Sequence, residues 1–215
     1  GDHAGAQASQ RRAFEFTLLL SVPFVAAFLM VPDVIMRAMF AHGAFTRADA
    51  ASAAATLAAY AVGLIPFVLI RGAVATFYAR KDTATPVKAA LIGVAINVAL
   101  KLALIGSLAQ IGLALATAVG AWVNLLLVIG FAIRADYLRF DVGFRNALLK
   151  FAASGVVLAA ALWATKRLML VGGLGTSPLA AEITLAALIL VGTVVYGLSI
   201  LLLFGRRWIR GLVGS

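Results

Sequence analysis

The chain has 215 residues, 64% hydrophobic and 12% charged, where soluble domains run at roughly half and a quarter, and its mean hydropathy is +1.07. That excludes an ordinary soluble domain and points to an integral membrane protein. The net charge of +10 does not mark a nucleic-acid binder, because the cations lie in short loops between apolar runs and form no basic patch interleaved with aromatics. Cysteine is absent, which removes disulfides, thiol catalysis and Cys-based metal sites. His3 and His42 are far apart in polar segments, so no metal site is expected.

The opening GDHAGAQASQ has no basic n-region leading into an apolar h-region, so it is no signal peptide. Residues 1–12 are expected to be a cytoplasmic loop exposed by truncation of a longer membrane protein. A membrane span takes ~20 mostly apolar residues. Six stretches qualify: 13–32, 54–79, 87–108, 110–133, 147–165 and 183–204. The expected fold class is therefore all-α, a polytopic membrane bundle of six transmembrane helices. The longest connections, 33–53 and 166–182, carry turn signals at His42-Gly43 and at Gly172-Gly173, Gly175 and Pro178. Residues 34–40 are expected to add a short interfacial helix. In the fourth span Gly112, Ala116, Gly120 and Asn124 recur every fourth residue. Small residues at that spacing let helix backbones approach closely, so this stripe reads as a packing face.

Lys and Arg in the loops set the orientation. One side collects twelve: Arg11, Arg12, Arg80, Lys81, Lys88, Arg134, Arg139, Arg145, Lys150, Arg206, Arg207 and Arg210. The other has Arg47, Lys166 and Arg167. By the positive-inside rule both ends are cytoplasmic, in accord with an even number of spans. The pair Lys166–Arg167 is the local exception.

Two cations sit inside apolar runs, Arg71 and Lys101. An intramembrane charge is costly and faces a wet cavity or a partner. Arg71 lies nine residues before Arg80, roughly 13 Å along a helix rising ~1.5 Å per residue. Pro66, five residues earlier, removes a backbone donor and frees the carbonyl of Val62, so a kink or hinge is expected there. The alternative for Arg71 is a structural salt bridge or a carbonyl-bound guanidinium. Lys101 shares one helix face with Asn97 and Gly93 at i, i+4 spacing, a polar stripe suited to a hydrated cavity. A snorkelling Lys101 is the competing reading. Arg71, Lys101 and Asn97 are the substrate-cavity candidates. The loop at 78–87 is read as a tight turn with Asp82, Thr83 or Thr85 capping the next helix and Pro86 in its first turn; Pro66, Asp82 and Pro86 are the hinge or gating candidates. Glu15 and Asp33 stand at helix ends, so no carboxylate relay is expected. No nucleophile–base pair, phosphate loop or paired carboxylates occur, which points away from an enzyme, and no cofactor is expected.

Four segments in order carry a resemblance: Arg11-Arg12-Ala13-Phe14-Glu15-Phe16; Gly43-Ala44-Phe45-Thr46-Arg47-Ala48-Asp49-Ala50; Tyr60-Ala61-Val62-Gly63-Leu64; and Phe77-Tyr78-Ala79-Arg80-Lys81-Asp82-Thr83-Ala84-Thr85-Pro86-Val87. Together they resemble the lipid II flippase family MurJ, also called MviN, of the polysaccharide and multidrug exporter superfamily. The final 70 residues match in hydropathy alone. The resemblance implies fourteen transmembrane helices in two six-helix lobes and a terminal pair. This chain would be the C-terminal portion, with residues 13–133 four helices of the second lobe and 134–215 the terminal pair and a cytoplasmic tail. The terminal pair would border a groove for a lipid tail. The family's position at Arg71 is similarly basic, which implies a contact with the pyrophosphate–sugar headgroup. The implied function is movement of the lipid-linked peptidoglycan precursor from the cytoplasmic to the periplasmic leaflet of the bacterial inner membrane by alternating access. The implied partners are membrane lipids, lipid II and cell-wall synthesis proteins, with no nucleic acid. The first lobe is absent here, so the fragment alone is expected to be inactive. Two rivals stand beside this: a drug/sodium antiporter or polysaccharide-lipid exporter of the same superfamily, and a non-transporting scaffold for cell-wall enzymes.

Overall fold

The computed structural model describes residues 3–40, 45–138, 141–171 and 179–213, and every regular element among them is helical. In chain order these are α1 (His3–Met30), α2 (Pro32–Phe40), α3 (Arg47–Tyr78), α4 (Ala84–Arg134), α5 (Val142–Val171) and α6 (Ala180–Val213). All but α2 contain an apolar run long enough to cross a bilayer. The chain is a multi-pass membrane protein. The turn signals at His42-Gly43 and at 172–178 lie outside the described residues.

Helix α1 begins at His3, inside the stretch read as a loop at 1–12. Alanine, Gln and Arg are good helix formers and continue the first span outward. Helix α2 occupies the expected short segment, with Pro32 at its first position, where no backbone donor is needed.

Helix α4 has 51 residues, about 77 Å at ~1.5 Å per residue, far more than a ~30 Å hydrocarbon core. It is two spans. Ala109 breaks it with φ 46° and ψ −126°, between the expected spans 87–108 and 110–133. The halves return antiparallel. A Cβ built on Gly120 would lie 2.8 Å from Asn97 Cβ and 2.9 Å from the Gly93 carbonyl; one on Gly112 would lie 2.8 Å from Leu104 Cβ. Ala116 is fully buried on the same stripe, so the expected packing face is the seam of this hairpin.

The chain forms two compact units, residues 1–21 with 59–148 (unit 1) and 22–58 with 149–215 (unit 2). The division runs through α1, α3 and α5. In unit 1, α3 meets the second half of α4 at backbone distance, a Cβ on Gly63 falling 2.8 Å from Ala118 Cα. Pro66 lies inside α3, and the Val62 carbonyl that it frees accepts a hydrogen bond from the Trp122 indole at 2.8 Å. A neighbouring helix thus supplies the missing donor.

The ends of α3 and α4 close with the same turn. Asp82 N–H donates to the Phe77 carbonyl and Lys81 N–H to that of Tyr78; Tyr137 N–H donates to Ala132 and Asp136 N–H to Ile133. Lys81 (φ 60°) and Asp136 (φ 57°) take the left-handed position where such Schellman caps favour glycine. The turns lock together: Phe77 meets Tyr137 edge-on at 5.5 Å, and the Arg80 guanidinium lies 4.4 Å from the Tyr137 ring centre. The start of α1 is tied in by Gln10, which donates to Thr76 Oγ1, and by Arg11, which pairs with Glu15 at 2.7 Å and with Asp141 at 2.8 Å. Glu15 is buried beside its arginine.

Unit 2 packs through large apolar side chains. Phe151, Leu158 and Leu162 of α5 and Leu188 and Ile200 of α6 are buried. Phe204 stacks on Phe151 at 4.7 Å and on Trp208 at 4.2 Å. Helix α6 breaks at Gly205, whose φ 79° and ψ 161° belong to a region open to glycine alone. Helix α2 packs on α6.

Candidate functional site

Arg71 stands on the stripe Phe67, Arg71, Ala75 and Tyr78 of α3, exposed throughout, while Pro66, Ala73, Thr76 and Phe77 turn into unit 1. Among the described residues the Arg71 guanidinium has no hydrogen bond and no ion pair. Arg80, nine residues on, is satisfied: it donates to the Thr76 carbonyl at 2.9 Å and rests on Tyr137. An isolated helix cation without such partners is the expensive case in hydrocarbon.

Beside this stripe the α4 hairpin and α3 border an open cleft of about 180 Å³. Pro66, Phe67 and Ile70 of α3 form one wall; Asn97, Thr117 and Asn124 of α4 bring polar groups to the other. The stripe spacing places Asn124 against Gly93 and Asn97 against Gly120, where the absence of a Cβ gives each amide room. Both Asn Oδ1 atoms are buried and, among the described residues, accept no hydrogen bond. Thr117 spends its hydroxyl on the Leu113 carbonyl at 2.8 Å. Two unmet acceptors beside apolar walls cost free energy, and a donor from outside would reach them only after the cleft opened further.

Of the six residues singled out from sequence, Pro66 and Asn97 meet in this cleft. Lys101, half-buried, follows Asn97 by one turn on the same face but does not line the cleft, and has no partner among the described residues. Arg71 lies outside it, on the exposed side of α3. Asp82 and Pro86 form the turn between α3 and α4. Asp82 Oδ1 accepts the Thr85 N–H at 3.0 Å, and that bond holds its carboxyl below the ordinary range. Pro86 is buried in the first turn of α4, where its missing N–H is not needed. Two contributors escape a sequence reading: Asn124, legible only as a packing residue, and Trp122, whose role depends on reaching another helix.

A family profile described as "Lipid II flippase MurJ" matches residues 1–182. The chain is 38% identical over 154 residues to a probable lipid II flippase MurJ of Rhizobium meliloti, covering 72% of this chain and 29% of that protein. It is 33% identical over 189 residues to the one of Rhizobium tropici, covering 87% of this chain and 35% of that protein. Among solved structures, one described as lipid II flippase MurJ in an inward closed conformation superposes with a TM-score of 0.78 over 97% of this chain and 41% of that one, at 24% identity, and shows the shared fold. The chain thus spans about a third of the length of the curated relatives it matches. By the profile match over most of its length, this chain belongs to the lipid II flippase MurJ family.

Proposed function

We propose that the chain is the C-terminal portion of a lipid II flippase, with residues 13–133 in the second transporter lobe and 134–215 the terminal helix pair. The whole protein carries the lipid-linked peptidoglycan precursor from the cytoplasmic to the periplasmic leaflet of the bacterial inner membrane, both ends of this chain lying in the cytoplasm. The loop bias in Lys and Arg supports that orientation.

The observation that carries the reading is Arg71: a cation at mid-span, exposed on α3, with no partner among the described residues. A planar guanidinium suits the oxygens of a pyrophosphate in two-point contact. Lys101 adds a second cation, and Asn97, Thr117 and Asn124 bring polar side chains to the cleft wall. Alternating access would pass the headgroup across while its lipid tail stays in the bilayer. Pro66, with a helix hydrogen bond replaced by the Trp122 indole, is the proposed hinge, and the Asp82–Pro86 turn a gating contact on the cytoplasmic side. Nothing is hydrolysed, so the protein is a transporter and not an enzyme, and no cofactor is called for.

The test is complementation by the full-length gene in cells depleted of their own lipid II flippase. Wild type should rescue growth, Arg71→Lys in part, and a normally expressed Arg71→Ala not at all. Rescue by all three reduces Arg71 to a structural residue; failure of well-expressed wild type removes the cargo assignment.

A further inference from the structure

In unit 2, at the end where α2, the last turns of α5 and the first turn of α6 meet, one carboxylate holds two cations. Asp33 Oδ2 accepts from Arg37 Nη2 at 3.0 Å and Asp33 Oδ1 from Lys166 Nζ at 2.5 Å, while the Asp33 carbonyl accepts from Arg37 Nε at 3.2 Å. Both cations are therefore fixed, yet the triad keeps one positive charge, and each cation keeps N–H groups that the triad does not use. With Arg167 and the first-turn Glu182 of α6 included, this end still carries one excess positive charge. Arg37 and Lys166 open onto a shallow groove of about 80 Å³ whose walls are Val34, Met169 and Leu170, with Thr184 at its α6 side. The surroundings are those of a membrane interface. Met39, Phe40, Leu168, Leu170, Val171 and Ile183 are exposed, and Arg167 lies 5.5 Å from the ring centre of Trp163, a residue type that collects at headgroup level.

We infer that this groove binds the phosphate of an anionic glycerophospholipid in the leaflet at that end, the outer leaflet in the topology proposed above. Arg37 offers its fork to two phosphate oxygens and Lys166 a point charge to a third, while an acyl chain lies along Met169 and Leu170. Charge and shape together select the occupant: a neutral lipid gains nothing from the cations, and a free anion gains nothing from the apolar wall. Lys166, the exception to the loop charge bias, acquires a role there. The inference rests on the membrane placement of the chain and not on its cargo.

The test is lipid retention by the purified full-length protein, from bilayers of equal phosphatidylglycerol and phosphatidylcholine, read by native mass spectrometry. Wild type should retain phosphatidylglycerol at least fivefold over phosphatidylcholine. Arg37→Gln with Lys166→Gln should bring the ratio below twofold, and Arg37→Lys, which keeps the charge and loses the fork, should give an intermediate ratio even if the double variant does not fold. Arg134→Gln with Arg145→Gln, an equal loss of charge at exposed positions of unit 1, should leave it unchanged. An unaltered ratio in the folded groove variants, an equal fall in the control, displacement by excess inorganic phosphate, or retention of undecaprenyl pyrophosphate ahead of phosphatidylglycerol would each overturn the assignment.

Discussion

Arg71 in unit 1 and Lys166 in unit 2 are both cations on long apolar helices, and their surroundings differ. Lys166 lies at the end of its apolar run and shares Asp33 with Arg37. Arg71 lies well inside a span with no hydrogen bond and no ion pair among the described residues. The nearby cleft repeats the pattern, with two Asn oxygens that accept no hydrogen bond among the described residues. In unit 2 Arg37 and Lys166 have a carboxylate of the same unit to hold them in place; in unit 1 Arg71 has none among the described residues. Under the proposed function the cargo would be that missing partner, one that must also leave.

The comparison can be pressed by substitution. The largest effect is expected at the seam that positions Asn97 and Asn124. Gly120→Leu drives a side chain into Asn97 Cβ and the Gly93 carbonyl and should cost about 3 kcal/mol or prevent folding, whereas Gly197→Leu in unit 2, with nothing within 4 Å, should be nearly neutral. Yield of monodisperse protein and its melting temperature read both. Next come the cations themselves. Lys166→Leu should destabilise by up to ~1 kcal/mol, since Asp33 loses a partner at a partly exposed site. Arg71→Leu should leave the melting temperature unchanged or raise it; a marked fall would reveal a structural partner and break the contrast.

Ala109→Gly should stabilise by about 1 kcal/mol, because φ 46° strains any residue with a Cβ; a raised melting temperature with the same helical content would confirm the hairpin break. The smallest effect is at Asp82, whose carboxyl is held below its ordinary value of 3.8 chiefly by the Thr85 N–H. A depressed folded-state value means that its contribution is present above 3.8 and fades as pH falls through the lower folded value. Asp82→Asn should therefore flatten the acid side of the melting-temperature profile slightly and leave neutral pH almost untouched.

Much of the fold is legible in the residues themselves, because bilayer crossing needs length and apolarity and both are local. The break at Ala109, the short helix at 32–40, the Gly112–Asn124 seam and the carbonyl released by Pro66 all follow from spacing and backbone chemistry. The pairings across helices do not. Asp33 and Lys166 are 133 residues apart, Arg11 and Asp141 130, and Trp122 and Val62 60. Their meeting depends on packing register, which periodicity does not encode. The helical start of α1 follows the same rule, since Gln10 and Arg11 are anchored by residues of α3 and of the segment before α5. Arg71 stands out in the sequence for the opposite reason: it is legible as an anomaly, and within the described residues it stays one.

The most direct measurement is the affinity of purified full-length protein in nanodiscs for the lipid-linked precursor, wild type beside Arg71→Ala. Arg71→Ala should bind at least tenfold more weakly with an unchanged melting temperature. Equal affinity in the two proteins would contradict the assignment of Arg71 to the headgroup.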